Sequence, residues 1–211
     1  MEPLFQDIPP LRILIVGHSQ ARRVAPFLAD NNLGFPRDQV VIRCVGIGGL
    51  RIASLVGSRL IYNELRSFSP DAVLMMIGDN DINHYRSANV ISEQLLDAAE
   101  ILYASIDSVM NVIICQILPR HPGSYLNSSQ AQAYNHKART INRRVKRIIA
   151  QSDIRHIQAA HFREFCFQPD YPRRFENSMS FYSGDGVHLN SQGYNKLASR
   201  LKGLVIRLIR A

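Results

Sequence analysis

The segment Leu11-Arg12-Ile13-Leu14-Ile15-Val16-Gly17-His18-Ser19-Gln20 begins with an apolar, β-branched run and ends at a glycine followed by polar residues. This pattern predicts a strand, a tight turn and the start of a helix. Three further apolar runs end at a glycine or a proline, and they cover residues 40–45, 72–77 and 112–118. Such continuous apolar runs are typical of parallel strands that are buried on both faces. A weaker fifth strand is predicted over residues 154–159.

Amphipathic stretches lie between the apolar runs. Apolar residues recur every three or four positions over residues 95–106, 138–148 and 194–208, which predicts three helices. Ser191 is expected to cap the last helix, and Pro26 is expected to shorten or kink a first helix after Ser19. The alternation of strands and helices predicts an α/β fold, with a parallel sheet of about five strands in a three-layer α/β/α sandwich.

Length and composition limit the class of protein. The chain has 211 residues, of which 46% are apolar and 20% charged, as in one globular domain. We predict a lead-in over residues 1–10 and a single domain over residues 11–211. No uncharged apolar run is long enough for a membrane span, and the first residues do not resemble a signal peptide. Three cysteines cannot form a complete disulfide framework, so an intracellular location is expected.

In parallel sheets of this kind, ligands bind beyond the carboxyl ends of the strands. Ser19 follows the first apolar run, where it is either a helix cap or a nucleophile whose backbone N–H lies at a helix N-terminus. Gly46-Ile47-Gly48-Gly49 follows the second run. It is either a flexible turn or a loop without side chains, in which a backbone N–H can approach a reacting oxygen.

Two more polar segments complete the set. Asp79, Asn80 and Asp81 follow the third run. Asn80 could donate a hydrogen bond to an oxyanion, whereas the two carboxylates could hold a divalent cation or only close a turn. Near the C-terminus, Asp185 and His188 are three residues apart, so in a turn the carboxylate can reach the imidazole Nδ1–H. The Nε2 atom would then be free to take a proton from a hydroxyl group.

Taken together, these segments supply a nucleophile, a base, a carboxylate that orients the base, and oxyanion donors, which is the set needed for acyl transfer. On these residues the chain resembles the SGNH/GDSL hydrolase superfamily, which is named for the Ser, Gly, Asn and His of its four sequence blocks. The matching positions are Ser19, Gly49, Asn80 and Asp185 with His188. The resemblance extends from about residue 12 to the end of the chain.

The resemblance implies a flavodoxin-like α/β/α domain and a serine esterase that needs no metal ion and no other cofactor. Ser19 would be the nucleophile, His188 the general base and acid, and Asp185 the residue that orients His188. The backbone N–H groups of Ser19 and Gly49 and the amide of Asn80 would form the oxyanion hole. The expected activity is that of a serine esterase or acetylhydrolase acting on a small or short-acyl ester.

One residue departs from the family pattern. The first block usually reads Gly-Asp-Ser, and this chain has His18 in place of the aspartate. That aspartate is not the acid of the triad, and it would normally tie the first turn to neighbouring loops. His18 either replaces it as a hydrogen-bonding group or leaves the oxyanion hole less well ordered and the enzyme slow.

Some residues near the strand ends are candidates for lining the substrate site. They are Gly48, His84, Tyr85, Arg120 and Val187. Arg120 follows the fourth apolar run and could bind an acidic group of the substrate, although a solvated loop arginine is the simpler interpretation.

The net charge of +8 leaves a second function open. Basic residues are concentrated in the predicted helices 137–147 and 196–210, which form either a solvated face or a surface for nucleic acid or another anionic partner. The alternative to an esterase is therefore a catalytically weak SGNH-like binding module with a basic nucleic-acid-binding surface, as in some retroelement-type proteins. A third and weaker hypothesis is a metal-dependent phosphohydrolase built on Asp79 and Asp81.

Overall fold

A five-stranded sheet forms the centre of the molecule. The computed structural model describes residues 9–29, 32–82, 85–167 and 172–210, so most of the predicted lead-in lies outside the described residues. The strands are β1 (Leu11–Gly17), β2 (Val40–Gly46), β3 (Ala72–Met76), β4 (Asn111–Cys115) and β5 (Ile157–Ala160). Their order is β2-β1-β3-β4-β5, and every neighbouring pair is parallel. The predicted parallel sheet is thus confirmed.

Helices cover both faces of this sheet. They are α1 (Ser19–Ala29), α2 (Ile52–Val56), α3 (Arg59–Phe68), α4 (Ala88–Ala104), α5 (Ser128–Gln151), α6 (Pro172–Ser178) and α7 (Ser191–Ile209). Within the described ranges, none of these helices combines the length and the apolar character that crossing a bilayer requires.

The alternating side chains of β1 show the two cores. Leu14 and Val16 belong to the core shared with α2, α3, α4 and α5, while Ile13 and Ile15 belong to the core shared with α1 and α7. All four side chains are buried because β1 is an interior strand, between β2 and β3, with helices on both faces. The predicted three-layer α/β/α sandwich, with one apolar core on each side of the sheet, is therefore confirmed.

Burial on both faces is complete only for the central strands. In β2 the Arg43 side chain is exposed, and in β5 Gln158 and Ala159 are exposed. These two strands are the edges of the sheet. A continuous apolar run predicts a fully buried strand, but its position in the sheet decides how much of it is covered.

Two predicted boundaries are wrong, because side chains take over backbone hydrogen bonds there. The fourth strand ends at Cys115 and not at residue 118: the Gln116 amide binds the backbone of Phe162 and Phe165, which follow β5, and Ile117 N–H donates to Asn142 Oδ1 at 3.0 Å. The cap of α7 is Asn190 and not Ser191, since the Asn190 side chain accepts the Gly193 N–H at 3.0 Å.

Other elements are longer or shorter than predicted. Helix α5 begins at Ser128, ten residues ahead of the predicted 138–148 stripe, because Asn127 and Gln130 form a reciprocal capping box. Helix α1 has 11 residues and continues past Pro26 to Ala29. The fifth strand covers Ile157–Ala160, whereas the sequence predicts 154–159.

The register of the sheet brings the polar segments together. Gly17 at the end of β1 is paired with Gly46 of β2 and with Met76 of β3. His18 N–H donates to Met76 O at 3.1 Å, and Ile47 N–H donates to Gly17 O at 2.9 Å. The segments that follow these three strands therefore start side by side at the carboxyl ends of the strands.

Candidate active site

Ser19 is the first residue of α1 and lies directly beyond the carboxyl end of the central strand β1. Its side chain is partly exposed between two buried neighbours, His18 and Gln20. The short turn leaves room for little besides backbone, because a Cβ atom on Gly17 would lie 2.0 Å from Met76 O. The hydroxyl group of Ser19 is therefore held at a defined point beyond the carboxyl end of β1.

The structure brings Asp185 and His188 to Ser19. His188 Nε2 lies 3.3 Å from Ser19 Oγ, and His188 Nδ1 lies 2.7 Å from Asp185 Oδ2. These three side chains form a continuous hydrogen-bonded line, although 169 positions separate the serine from the histidine. In this arrangement Asp185 fixes the tautomer of His188 and leaves Nε2 facing the hydroxyl group.

Asp185 is held as a carboxylate by hydrogen bonds from its own loop. Its Oδ1 accepts from Ser183 Oγ and from the backbone N–H groups of Val187 and His188, each at 2.8 Å. Burial by itself would raise the pKa of Asp185, but these bonds and the bond from His188 keep the pKa well below its ordinary value. The carboxylate is therefore ionised at neutral pH and can stabilise a positively charged imidazole.

A glycine in the left-handed region shapes this loop. Gly186 has a φ of 70°, and a Cβ atom there would lie 2.0 Å from His121 O. His121 N–H in turn donates to Gly186 O at 2.8 Å, and Ser183 N–H donates to His188 O at 2.8 Å. The loop that carries Asp185 and His188 is thus tied to the segment after β4 and closed on itself.

Gln20 is a residue of the site that the sequence did not reveal. Its side chain is buried, and its Nε2 donates to Val187 O at 3.0 Å while its Oε1 accepts from Tyr194 OH at 2.6 Å. Gln20 therefore connects the start of α1 to the His188 loop and to α7. Only its place next to Ser19 could have suggested such a role.

Two of the three expected oxyanion donors, Gly49 and Asn80, lie on loops that are bonded to each other. Asn80 Nδ2 donates to Leu50 O at 3.0 Å, and Ile52 N–H donates to Asp81 Oδ2 at 3.1 Å. Gly49 is exposed with a φ of 73°, and no atom lies within 4 Å of the place that its Cβ would occupy. The segment from Gly48 to Leu50 is consequently anchored by the turn after β3, yet remains open on its outer side.

His18, next to Ser19, makes a short buried polar contact. Its Nε2 lies 2.6 Å from Asp79 Oδ2, and Tyr134 OH donates to Asp79 Oδ1 at 3.1 Å. Burial alone would raise the pKa of Asp79, but the facing His18, the cationic Arg120 and the Tyr134 hydroxyl hold it below its ordinary value. His18 thus acts as a hydrogen-bonding group that joins the first turn to the turn after β3, which is one of the two outcomes expected from the sequence.

The carboxylates of the metal hypothesis have other partners. Asp79 binds His18 and Tyr134, while Asp81 accepts from Ile52 N–H and lies 3.5 Å from an Arg86 nitrogen. Burial raises the pKa of Asp81, although the Ile52 N–H and Arg86 oppose this shift. In the part of the chain that the structure describes, no group of three or more His, Cys, Asp or Glu side chains could hold a metal ion. The geometry thus offers no support for a metal-dependent phosphohydrolase.

The candidate substrate-lining residues have different surroundings. Tyr85 is 95% exposed, Gly48 is exposed, and Val187 is half-buried with its backbone bonded within the loop. His84 lies outside the described residues. Arg120 is half-buried, and its guanidinium lies 4.0 Å from the centre of the Tyr134 ring.

A cavity of about 800 Å³ lies beside Arg120 and Tyr134. Its described walls come mainly from α5, with contributions from the turn after β3 and the start of α4. The remaining lining residues are Ile82, Ala88, Leu126, Ser129, Gln130, Gln132, Ala133, His136, Lys137 and Thr140. Ser19, Asp185 and His188 are not among its described lining residues, and its link to the His18–Asp79 pair is Tyr134, whose hydroxyl donates to Asp79 Oδ1.

The sequence model of the GDSL-like Lipase/Acylhydrolase family matches residues 17–201, which is most of the chain. The chain belongs to this family. It is a carboxylic ester hydrolase, as the sequence predicts, and the resemblance to the SGNH/GDSL superfamily is confirmed. No curated protein sequence matches the chain.

Solved structures of GDSL-type enzymes and esterases have the same fold. A GDSL-like lipase from Bacteroides thetaiotaomicron is 18% identical, with a TM-score of 0.64 over 94% of this chain and 89% of that chain. A member of the lipolytic G-D-S-L family from Veillonella parvula is 16% identical, with a TM-score of 0.65 over 93% and 98%. A family 3 carbohydrate esterase from Clostridium thermocellum is 18% identical, with a TM-score of 0.61 over 95% and 98%. At this identity the likeness shows the fold.

Proposed function

We propose that this GDSL-family hydrolase is a serine esterase or acetylhydrolase that cleaves a small or short-acyl ester through a Ser19–His188–Asp185 triad. The observation that carries the proposal is the hydrogen-bonded line from Asp185 Oδ2 through His188 to Ser19 Oγ, with steps of 2.7 and 3.3 Å. Catalytic hydrogen bonds are often long before a substrate binds, so 3.3 Å is compatible with proton transfer in the complex.

The roles follow from the chemistry of each group. Ser19 Oγ attacks the ester carbonyl carbon while its proton passes to His188 Nε2, and Asp185 stabilises the resulting imidazolium. His188 then donates that proton to the oxygen of the departing alcohol. In the second half of the reaction a water molecule is deprotonated by His188 and attacks the acyl carbon. The bond between the acyl carbon and Ser19 Oγ then breaks, His188 returns the proton to Oγ, and the carboxylic acid leaves.

The negative charge that develops on the carbonyl oxygen needs donors that are already in place. We assign this role to the backbone N–H groups of Ser19 and Gly49 and to the Asn80 amide. The bond from Asn80 to Leu50 O uses one amide hydrogen, so the second hydrogen is available for the substrate. The open outer side of Gly49 supports the approach of a carbonyl group to this loop.

Arg120 would bind an acidic group of the substrate. Its backbone is fixed by Asn135, which accepts the Arg120 N–H at 2.8 Å and donates to Arg120 O at 2.7 Å. Its side chain is stacked on Tyr134 at the wall of the 800 Å³ cavity. Arg120 is therefore a pre-positioned cation and not a mobile one, which favours a role in binding.

The test is the hydrolysis of p-nitrophenyl acetate by the wild type, Ser19→Ala and the control Ser67→Ala, each with and without EDTA. Ser67 is an exposed serine on α3, so its loss should leave turnover unchanged. We expect activity that needs Ser19 and is insensitive to EDTA, and rates that fall from acetate to longer acyl chains. Equal turnover by the wild type and Ser19→Ala would refute the triad, and a rate that rises with chain length would refute the short-acyl preference.

A nucleic-acid-binding surface on the predicted helices 137–147 and 196–210 remains a prediction from charge alone, and the comparisons give no support for it. Some of the charge is already paired, since Arg144 contacts Glu93 at 3.0 Å and Arg200 contacts Glu164. Fluorescence anisotropy with a labelled oligonucleotide at two salt concentrations tests this surface. Binding that weakens steeply with salt would support it, and no binding at low salt would exclude it.

A further inference from the structure

Two imidazoles, and not one, face the hydroxyl group of Ser19. His188 Nε2 lies 3.3 Å from Ser19 Oγ, and His18 Nδ1 lies 3.4 Å from the same atom. The other ring nitrogen of each histidine is bonded to a carboxylate, at 2.7 Å to Asp185 and at 2.6 Å to Asp79. Ser19 thus lies between two Asp–His pairs of nearly equal geometry.

The backbone fixes the tautomer of His18. The N–H of Gln20 donates to His18 Nδ1 at 3.3 Å, so this nitrogen is an acceptor and carries no proton. The proton of the neutral ring is then on Nε2, where it is donated to Asp79. Nδ1 has a single lone pair, which the Gln20 N–H at 3.3 Å and the Ser19 hydroxyl at 3.4 Å share, so uptake of the Ser19 proton breaks the bond from Gln20.

Asp79 is able to stabilise a positive charge on His18. Its second oxygen accepts from Tyr134 OH at 3.1 Å, and the carboxylate is enclosed by protein, with only 10% of its side chain exposed. A buried, ionised carboxylate at hydrogen-bond distance favours the charged form of an imidazole. The pair His18–Asp79 therefore has the composition of a catalytic dyad, in addition to joining two turns.

We propose that the His18–Asp79 pair is a second proton acceptor for Ser19: it takes the hydroxyl proton in acylation, returns it to Ser19 Oγ when the acyl group leaves, and does not activate the water of deacylation. This inference rests on the proposed role of Ser19 as the nucleophile. The last restriction follows from burial: 4% of the His18 side chain is exposed, whereas 17% of the His188 side chain is exposed. Water and a departing alcohol can reach His188, but His18 can exchange a proton only with Ser19.

When His188 is missing, the Ser19 Oγ–H proton moves to His18 Nδ1 and displaces the hydrogen bond from Gln20 N–H. At the same time Oγ forms a bond to the acyl carbon, and the carbonyl π pair moves onto oxygen. Collapse of this adduct expels p-nitrophenolate with the bonding electron pair, and this leaving group is stable without a proton. The products are acetyl-Ser19 and a protonated His18 beside the Asp79 carboxylate. No base activates water, so the acetyl group remains on Ser19.

The experiment uses the full chain with His188→Ala as the background. We expect p-nitrophenyl acetate to give a single stoichiometric release of p-nitrophenolate, with no turnover, and intact-mass analysis to find one acetyl group on Ser19. Adding His18→Gln or His18→Asn should slow this acetylation by about tenfold or more, the lower end of what a general base contributes. The two replacements retain, respectively, the donor to Asp79 and the acceptor for Gln20 N–H, which protects the fold. Thermal melts identify any variant that is not folded.

A matched control carries His156→Gln in the same background. His156 contacts Glu100 at 2.9 Å and lies just before β5, away from Ser19, so its replacement should leave the acetylation rate unchanged. Equal acetylation rates with and without His18 would overturn the inference while leaving the triad intact. Acetylation that persists in Ser19→Ala/His188→Ala would instead refute Ser19 as the nucleophile, which separates the two failures.

Discussion

The two Asp–His pairs beside Ser19 differ in burial and in the distance along the chain between their members. The Asp185–His188 side chains are 19% and 17% exposed, and they are three residues apart on one loop. The Asp79–His18 side chains are 10% and 4% exposed, and 61 positions separate them. The same two residue types thus form one partly exposed pair and one pair that is enclosed by protein.

The origin of the charge stabilisation differs in the same way. Asp185 receives its hydrogen bonds from Ser183, Val187 and His188, all within its own loop. Asp79 receives its bonds from His18, which follows β1, and from Tyr134 on α5. The first pair is a local structure that a short sequence can encode, and the second exists only when the sheet and α5 have assembled.

The largest expected effect comes from breaking the accessible pair. Asp185→Asn should lower kcat for p-nitrophenyl acetate by about 10⁴, because an asparagine no longer stabilises the tautomer of His188 that faces Ser19. Asp79→Asn should lower kcat far less, since the buried pair is a second acceptor beside His188 and does not activate water. Steady-state kinetics on both variants, with thermal melts as the folding control, make the comparison. Equal losses in the two variants would contradict the division of roles.

The sequence could point to candidate residues for this site for a physical reason. Ser19, Asn80 and the Asp185–His188 pair each lie within a few residues of a strand end or of each other, and a polar residue in such a place carries its own signal. The partner of His18 could not be predicted, because it depends on the register that pairs Gly17 with Met76 and so aligns two distant turns.

The same distinction holds for the fold. The apolar runs predict the strands and the helices cover both faces as expected, since hydrophobic patterning is a local property. The end of β4 and the role of Gln20 depend on side-chain hydrogen bonds to residues that are distant in sequence, such as Phe162 and Val187. No local pattern of residues encodes such contacts.

A smaller effect is expected from Asn80, the neighbour of Asp79 in the same turn. Asn80→Ala should lower kcat by about 10² to 10³ with little change in KM, because the lost amide stabilises the transition state more than the bound ester. The change leaves His18 and Asp79 in place, so it separates the electrostatic role of this turn from its part in the buried pair. The control is Asn63→Ala, an exposed position on α3. An Asn80 variant with unchanged kcat would remove the amide from the oxyanion hole.

The smallest effect concerns the free energy of unfolding and a third histidine, His121. Among the described residues, no carboxylate lies at hydrogen-bond distance from its side chain. His121 is buried against Phe175 and Tyr182, its Nε2 lies 3.1 Å from Ser178 Oγ, and burial lowers its pKa to about 4. In the unfolded chain a histidine has a pKa of about 6.5, so only the unfolded state binds the proton between these values. Stability should therefore fall as the pH falls from about 6.5 to 4, by at most about 3 kcal/mol from this residue.

Urea unfolding at about pH 7.5 and about pH 4.5 measures this loss in the wild type, in His121→Gln and in His136→Gln, where His136 is exposed on α5. The lower pH stays above the range in which protonation of Asp185 would contribute, because the lowered pKa of Asp185 costs stability only once the pH falls below the ordinary carboxyl value. We expect His121→Gln to lose less stability than the wild type over this interval, and His136→Gln to lose as much as the wild type. Equal losses of stability in all three proteins would mean that burial does not lower the pKa of His121. His121 would then not differ in charge from an exposed histidine, and the contrast with the two carboxylate-bonded histidines beside Ser19 would be refuted.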